Sequence, residues 1–295
     1  MPLPETRSTD DVASPGLFGR FFRSAAMRRF RTNIPAVVGV FVIVIAVAFC
    51  AVGRFVAADP NSADVRNKLG TPGGGHVLGT DYLGRDTFAR ILAGATVSLT
   101  VAVVASLLAM LLAMVIGICA GYFGGFWDLL LSRIFDVVST FPMILLAVLI
   151  VVALGPSLTS TIIAISIAVI PRYGRQFRVL TKYCVQRPYV QAAISRGYST
   201  PRIIVRHVLP NIAIPIVVIA AGNMAPIALA EAGLSFLGAG TRPPNASLGN
   251  MISDALPYIQ TAPLQALVPG AVLCALTISF SFIGDGLRDA FDLSE

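Results

Sequence analysis

Five long segments of this sequence contain no charged residue, and they constrain the fold more than any other feature. They are residues 34–53, 91–127, 137–171, 208–230 and 255–284. A helix of about 20 apolar residues crosses a hydrocarbon core of about 30 Å. With 56% hydrophobic and 13% charged residues, this chain of 295 residues also lacks the polar surface of a soluble protein. We therefore expect an all-α integral membrane protein.

The third segment is too long for one crossing, and Gly155-Pro156-Ser157 forms a turn signal near its middle. Splitting it there predicts about six transmembrane helices. They cover residues 34–55, 97–122, 134–154, 158–176, 211–235 and 264–285. The domain organisation that follows is an N-terminal basic amphipathic segment (1–33), the first helix (34–55), an extracytoplasmic loop (56–96), a core of five helices (97–285) and a tail (286–295).

Basic residues set the expected orientation. The connection between the fourth and fifth predicted helices has no acidic residue and contains Arg172, Arg175, Arg178, Lys182, Arg187, Arg196, Arg202 and Arg206. Because Lys and Arg near helix ends are retained in the cytoplasm, we expect this connection there. With six crossings, both termini are then cytoplasmic as well, and the chain is a multi-pass protein of the plasma (inner) membrane. The arginines and phenylalanines of residues 1–33 are typical of a segment on the membrane surface.

Several classes of function are disfavoured by the pattern. The net charge of +7 comes from short basic segments between apolar runs, so no nucleic-acid partner is expected. The four cysteines form no CxxC pair, and His76 and His207 alone make no convincing metal site. No lysine follows a phosphate-binding glycine loop, so ATP hydrolysis by this chain is not expected.

Gly117, Gly121 and Gly125 have the spacing of a close helix contact.

The basic connection, residues 177–210, predicts two short helices. Pro188 suits a first turn and Gly197 a left-handed stop, after which Ser199 or Thr200 can cap a second helix from Pro201. The small residues Ala192 and Ala193 beside Tyr189 fit the groove of a partner protein. A loop held on anionic lipid headgroups is the alternative, and the pattern alone leaves both open.

A family resemblance bears on this choice. The stretch Tyr189-Val190-Gln191-Ala192-Ala193, with Gly197 four positions on and Leu209-Pro210 after twelve more, resembles the EAA loop of bacterial ABC-importer permeases. Gln191 stands where that family has glutamate, and His207 where it has a branched apolar residue. The resemblance implies that this segment couples the chain to an ATPase, and the residues concerned are Tyr189, Gln191, Ala192, Ala193, Gly197, Leu209 and Pro210.

Two more stretches resemble the dipeptide, oligopeptide and nickel branch, specifically its DppC/OppC-like subunit. They are residues 79–86, with the sequence GTDYLGRD, and residues 234–238, LSFLG, followed by Pro243-Pro244 and Gly249-Asn250-Met251. The resemblance implies a type I permease that pairs with a second permease and two cytoplasmic ATP-binding subunits. Those subunits would hold ATP and magnesium, this chain would need no cofactor, and an extracytoplasmic protein would deliver di- or oligopeptides. Nickel or another small solute is the alternative cargo.

Four further residues are candidates for function. Asp81, Arg85 and Asp86 precede the second predicted helix, where they either contact the binding protein or pair with one another to order the loop. Glu231 is an acid inside a predicted span, and membrane acids are costly enough to suggest a role in the pathway or its gate. A hydrogen bond to the neighbouring loop is the other interpretation. A secondary transporter or channel is a distant alternative for the whole chain. Such proteins usually place ionisable groups near the bilayer midplane, whereas this sequence has no acid or base at the centre of a predicted span.

Overall fold

A computed structural model describes residues 25–73 and 75–291, so residues 1–24 of the predicted basic segment and 292–295 of the predicted tail lie outside it. Helices dominate the described part. They are α1 (Ala25–Thr32), α2 (Ile34–Val56), α3 (Thr87–Phe123), α4 (Gly125–Ser139), α5 (Met143–Leu154), α6 (Leu158–Val185), α7 (Pro188–Ser195), α8 (Thr200–Ile203), α9 (Leu209–Gly222), α10 (Met224–Phe236), α11 (Leu248–Ala255) and α12 (Leu264–Ala290). The expected all-α class is confirmed.

Four helical segments of the described residues are long and apolar enough to cross a membrane. They are Ile34–Gly53, Thr87–Phe123, Thr200–Phe236 and Leu264–Ala290. The pair α4 and α5 is bent by 88° and makes a fifth if it is counted as one span. The remaining predicted span, 158–176, falls in the first part of α6, whose later turns carry basic residues. A count of six therefore stays a prediction.

The helix predicted over 134–154 is broken in the structure. The α4 helix ends at Ser139 and α5 begins at Met143, with Pro142 as its first flanking residue. Proline has no backbone N–H and disfavours the helical conformation of the residue before it, so Phe141-Pro142 interrupts the helix. The Thr140 hydroxyl donates to the Val137 carbonyl at 2.6 Å and satisfies one carbonyl at the break.

The α3 and α6 helices form the main helix contact of the fold. A Cβ added to Gly117 would lie 2.9 Å from the carbonyl oxygen of Gly174, and one added to Gly121 would lie 2.7 Å from the carbonyl oxygen of Arg178. Only glycine lets the two backbones approach this closely. The third glycine of the predicted motif, Gly125, has open space around it and instead begins α4.

The two ends of the described chain meet at α2 and α12. Asn33 caps α2 by accepting from the Ala36 amide at 3.2 Å, and its Nδ2 donates to Asp289 Oδ2 at 3.3 Å. Beside this contact Gly286 packs against Ala36. The α2 helix is therefore held along α12, and much of its apolar surface stays exposed, as suits a helix that faces lipid.

Candidate functional site

The α7 helix has one face packed on the protein and one face exposed. Val190 and Ala193 are buried, whereas Tyr189, Gln191 and Ala192 are exposed. Gln191 Nε2 donates to the Val185 carbonyl at 2.9 Å, which attaches α7 to the end of α6. Of the residues assigned to coupling by resemblance, Ala193 thus faces inward, while its neighbours at 189, 191 and 192 are available to a partner.

Gly197 ends α7 in a left-handed conformation, with φ of 74°. Its amide donates to Ile194 at 2.9 Å, and the Tyr198 amide donates to Ala193 at 3.3 Å. These two bonds form a Schellman motif, in which the position after the cap strongly favours glycine. The turn fixes the direction in which the chain leaves α7.

A continuous helical path then leads from the α7 turn into the membrane. After α8 the chain forms a π-helix, Ile204–Val208, and α9 begins at Leu209 with Pro210 in its first turn. His207 lies in the π-helix, its ring stacked on Tyr198 with centroids 6.2 Å apart. Sequence reasoning predicted the Leu209-Pro210 join but missed the π-helix, for which the sequence has no recognised signal.

Acidic residues of α4 neutralise part of the basic connection, which sequence reasoning also missed. Asp128 accepts from Arg178 Nη2 at 2.8 Å, from Arg178 Nε and from Lys182 Nζ at 2.6 Å. Asp136 lies 3.4 Å from Arg175 Nη1. Arg196 and Arg206, beyond this network, form no ion pair with any residue in 25–73 or 75–291.

The three charged candidates of the outer loop are buried and bonded within the chain. The Asp81 carboxylate accepts from Arg85 Nε at 2.6 Å and from the Leu83 and Arg85 amides. Asp86 caps α3 through the Ala89 amide at 2.8 Å and lies 2.7 Å from His76 Nδ1. These contacts favour the ordering role over a contact with a second protein.

Arg90 extends this network to the rest of the outer side. Its Nε lies 3.3 Å from Asp81 Oδ2, and its Nη1 donates to the Pro60 and Pro244 carbonyls at 3.1 and 3.2 Å. Asp254 on α11 lies nearby, where burial raises the pKa of its carboxyl although Arg85 and Arg90 attract the charged form. Sequence reasoning did not single out Arg90, because its partners are distant in the chain.

Glu231 lies on α10 and is completely buried. It is hydrogen-bonded to Ser98 of α3 at 2.7 Å and to Ser235 of its own helix at 2.9 Å. Its two partners are therefore helical residues, not the neighbouring loop.

The described residues form helices of membrane length, and a short surface helix leads through a tight turn into one of them, which is the architecture of a transport permease. Residues 113–294 match the family described as binding-protein-dependent transport system inner membrane component, and the chain belongs to this family. Residues 21–72 match the N-terminal transmembrane domain of oligopeptide transport permease C. The resemblance to DppC/OppC-like ABC permeases is confirmed, and with it a multi-pass membrane location.

Relatives similar to this chain along most of its length carry related names. The chain is 40% identical to a peptide transport system permease of Brucella suis, over 98% of this chain and 96% of that one. It is 38% identical to the dipeptide transport system permease protein DppC of Alkalihalophilus pseudofirmus, over 90% and 88%. It is also 38% identical to the glutathione transport system permease protein GsiD of Shigella flexneri, over 90% and 88%.

Proposed function

We propose that this chain is the permease subunit of an ATP-driven importer and forms part of the pathway for di- or oligopeptides across the inner membrane. The observation that carries the proposal concerns the coupling segment, residues 177–210: its partly exposed helix α7 is joined by a short turn, residues 196–199, to the helical membrane segment Thr200–Phe236. The relatives named as dipeptide, peptide and glutathione permeases support the substrate class.

The exposed face of α7 suits contact with an ATP-binding subunit. Ala192 has almost no side chain, so a partner groove can approach the helix backbone closely, while Tyr189 supplies apolar area. Val190 and Ala193 on the opposite face are buried, and Gln191 bonds the helix to α6. Because α7 is packed and hydrogen-bonded in this way, a displacement of α7 by a partner would also displace the helices that it contacts.

The path from α7 into the membrane has one stiff turn and one deformable joint. The Schellman motif at Gly197 is the turn, and the π-helix Ile204–Val208 is the joint. A π-helix is a rare, less favourable form that often marks functional positions in helices. We expect changes in helical register to be absorbed there, so that closure of the ATPases rotates or shifts α9 and α10.

The complete importer requires other proteins. We place ATP and magnesium on two cytoplasmic ATP-binding subunits, because this sequence has no phosphate-binding glycine loop with a following lysine. A second, similar permease would complete the pathway, and an extracytoplasmic protein would deliver the solute. We propose an orientation with both termini in the cytoplasm, in which α7 would lie on the side of the nucleotide. On the outer side, the Asp81–Arg85 pair and the Asp86 cap order the loop.

The proposal is tested in lipid vesicles that contain the purified complex and its binding protein. We expect uptake of labelled peptides only when hydrolysable ATP is present on the coupling-segment side. Uptake driven by a proton or sodium gradient without ATP would indicate a secondary transporter and would contradict the proposal. Stimulation of ATP hydrolysis by nickel complexes, but not by peptides, would contradict the substrate class alone.

A further inference from the structure

Glu231 is the most deeply buried acid among residues 25–73 and 75–291. It is 0% exposed. It lies near Phe236, at one end of the membrane segment Thr200–Phe236, and the coupling segment lies at the other end. Glu231 is therefore close to the point where α10 leads into the loop of residues 237–247. Any motion that reaches the outer end of α10 must displace this carboxyl group or carry it along.

The contacts of Glu231 join two helices that are far apart in the chain. Glu231 Oε2 is 2.7 Å from the hydroxyl of Ser98 on α3, and Oε1 is 2.9 Å from the hydroxyl of Ser235 on α10. Both serines are buried. About one helical turn away, Ala102 of α3 and Ala228 of α10 belong to one buried apolar cluster together with Phe280 of α12.

No basic side chain of the described residues forms an ion pair with Glu231. Arg90 precedes Ser98 on α3 by about 12 Å of helix and is bonded to Asp81 and two carbonyl groups. Among the other helices that pack on α10, α5 has no ionisable side chain and α11 has Asp254 but no base. The basic residues of α6 begin at Arg172, next to Tyr173, which bonds Ala220, and the charged residues of α12 begin at Asp285, next to Gly284, which packs on Gly222. Both groups therefore lie near the start of α10 and not at Glu231. The carboxyl group therefore has only neutral hydroxyl partners.

An ionised carboxylate is very costly to bury in a membrane protein without a cation. A neutral carboxylic acid keeps both hydrogen bonds, because a serine hydroxyl can accept as well as donate. The surroundings thus favour the protonated form. The bond to Ser98 is then a polar attachment between helices whose other contacts here are apolar.

We propose that Glu231 is a neutral carboxylic acid that clamps the outer end of α10 to α3 through Ser98, and that it is a positioning residue for the transport cycle. The second part of this proposal rests on the proposed function. The hydrogen bond between Glu231 and Ser98 holds α10 against α3 in the conformation described. It breaks when movement of the coupling segment displaces α10.

The protonation state is measured by infrared difference spectroscopy of the complex as purified from its membrane, comparing wild type with Glu231→Gln. At neutral pH we expect the C=O stretch of a protonated carboxylic acid in the wild type and its loss in the variant. A difference spectrum that contains only carboxylate bands would overturn the neutral acid. This measurement does not depend on transport activity.

The clamp is measured by solute uptake per ATP hydrolysed in vesicles. Glu231→Gln keeps a neutral hydrogen-bonding group and should retain most of the wild-type ratio, whereas Glu231→Ala and Ser98→Ala should lower it several-fold. Ser279→Ala is the control, because Ser279 is equally a buried helix serine but donates only to Ala275 of its own helix. Equal effects of Ser98→Ala and Ser279→Ala, or a Gln variant as defective as the Ala variant, would overturn the clamp. Absence of ATP-driven uptake in the wild type would instead refute the proposed function.

Discussion

Gln191 donates a hydrogen bond to the carbonyl oxygen of Val185, at 2.9 Å, and so connects α7 to the last turn of α6. In the EAA loop that this stretch resembles, the corresponding residue is glutamate, which cannot donate to a carbonyl when it is ionised. The glutamine of this chain therefore makes a contact within its own subunit through its amide nitrogen. The amide group of Gln191 makes a hydrogen bond that an ionised glutamate at the same position could not make.

The first prediction concerns this contact. Gln191→Glu should remove the bond and weaken the attachment of α7 by about 0.5–1 kcal/mol, the net worth of an exposed hydrogen bond. Amide hydrogen exchange in residues 188–195 should become faster, and Gln191→Ala should have a similar effect. If the Glu variant exchanged as slowly as wild type while the Ala variant did not, the donor role would be wrong.

The second prediction concerns the turn at Gly197. A Cβ there meets nothing within 4 Å, so the cost of substitution comes from its φ of 74° and not from crowding. Gly197→Val should destabilise the turn by about 1–2 kcal/mol and uncouple ATP hydrolysis from uptake. Gly197→Asn is the matched control, because asparagine tolerates the left-handed conformation. Equal coupling in the Val and Asn variants would show that the backbone conformation is unimportant.

The third prediction compares two acids of α4. Asp128 is 14% exposed and receives both Arg178 and Lys182, whereas Asp136 is 56% exposed with a longer contact to Arg175. Asp128→Asn should lower the unfolding free energy by about 1–2 kcal/mol, because it leaves two partly buried cations without their partner. Asp136→Asn should cost about 0.5 kcal/mol or less. Thermal unfolding of the purified complex measures both, and the reverse order would contradict the assignment.

The fourth prediction concerns a close approach on the outer side. A Cβ on Gly249 of α11 would lie 2.0 Å from the carbonyl oxygen of Ala232 on α10. Gly249→Ala should therefore destabilise the protein by about 1–3 kcal/mol through overpacking. Gly270→Ala in α12 is the control, since its Cβ would meet open space and alanine favours a helix. Equal melting temperatures for the two variants would contradict this packing.

Local signals in the sequence were sufficient for much of the helical fold. The predicted span 34–55 matches α2 within one residue, the predicted span 264–285 has the start of α12 but ends five residues early, and Pro188 and Gly197 predicted the position of α7. These features depend on residues that are neighbours in the chain. The break before Pro142 carries the same kind of signal, but the apolar residues on both sides of it favour a single crossing over 134–154.

Contacts between distant residues could not be predicted in the same way. Arg178 lies 50 residues from Asp128, and Ser98 lies 133 residues from Glu231. Which acid meets which base, or which hydroxyl, is decided by how α3, α4, α6 and α10 pack. The π-helix before Leu209 likewise depends on the packing at its two ends, because its residues have no special preference for that form.

We propose that the exposed face of α7 binds an ATP-binding subunit, and the importer mechanism depends on this contact. A photo-crosslinking amino acid at position 192, on that face, tests it most directly in the intact membrane, with position 77 of the outer loop as the control. We predict a crosslink from position 192 to an ATP-binding subunit, with a yield that changes on addition of nucleotide, and none from position 77. A crosslink to that subunit from position 77, or none from position 192 in a complex that contains the subunit, would contradict the account.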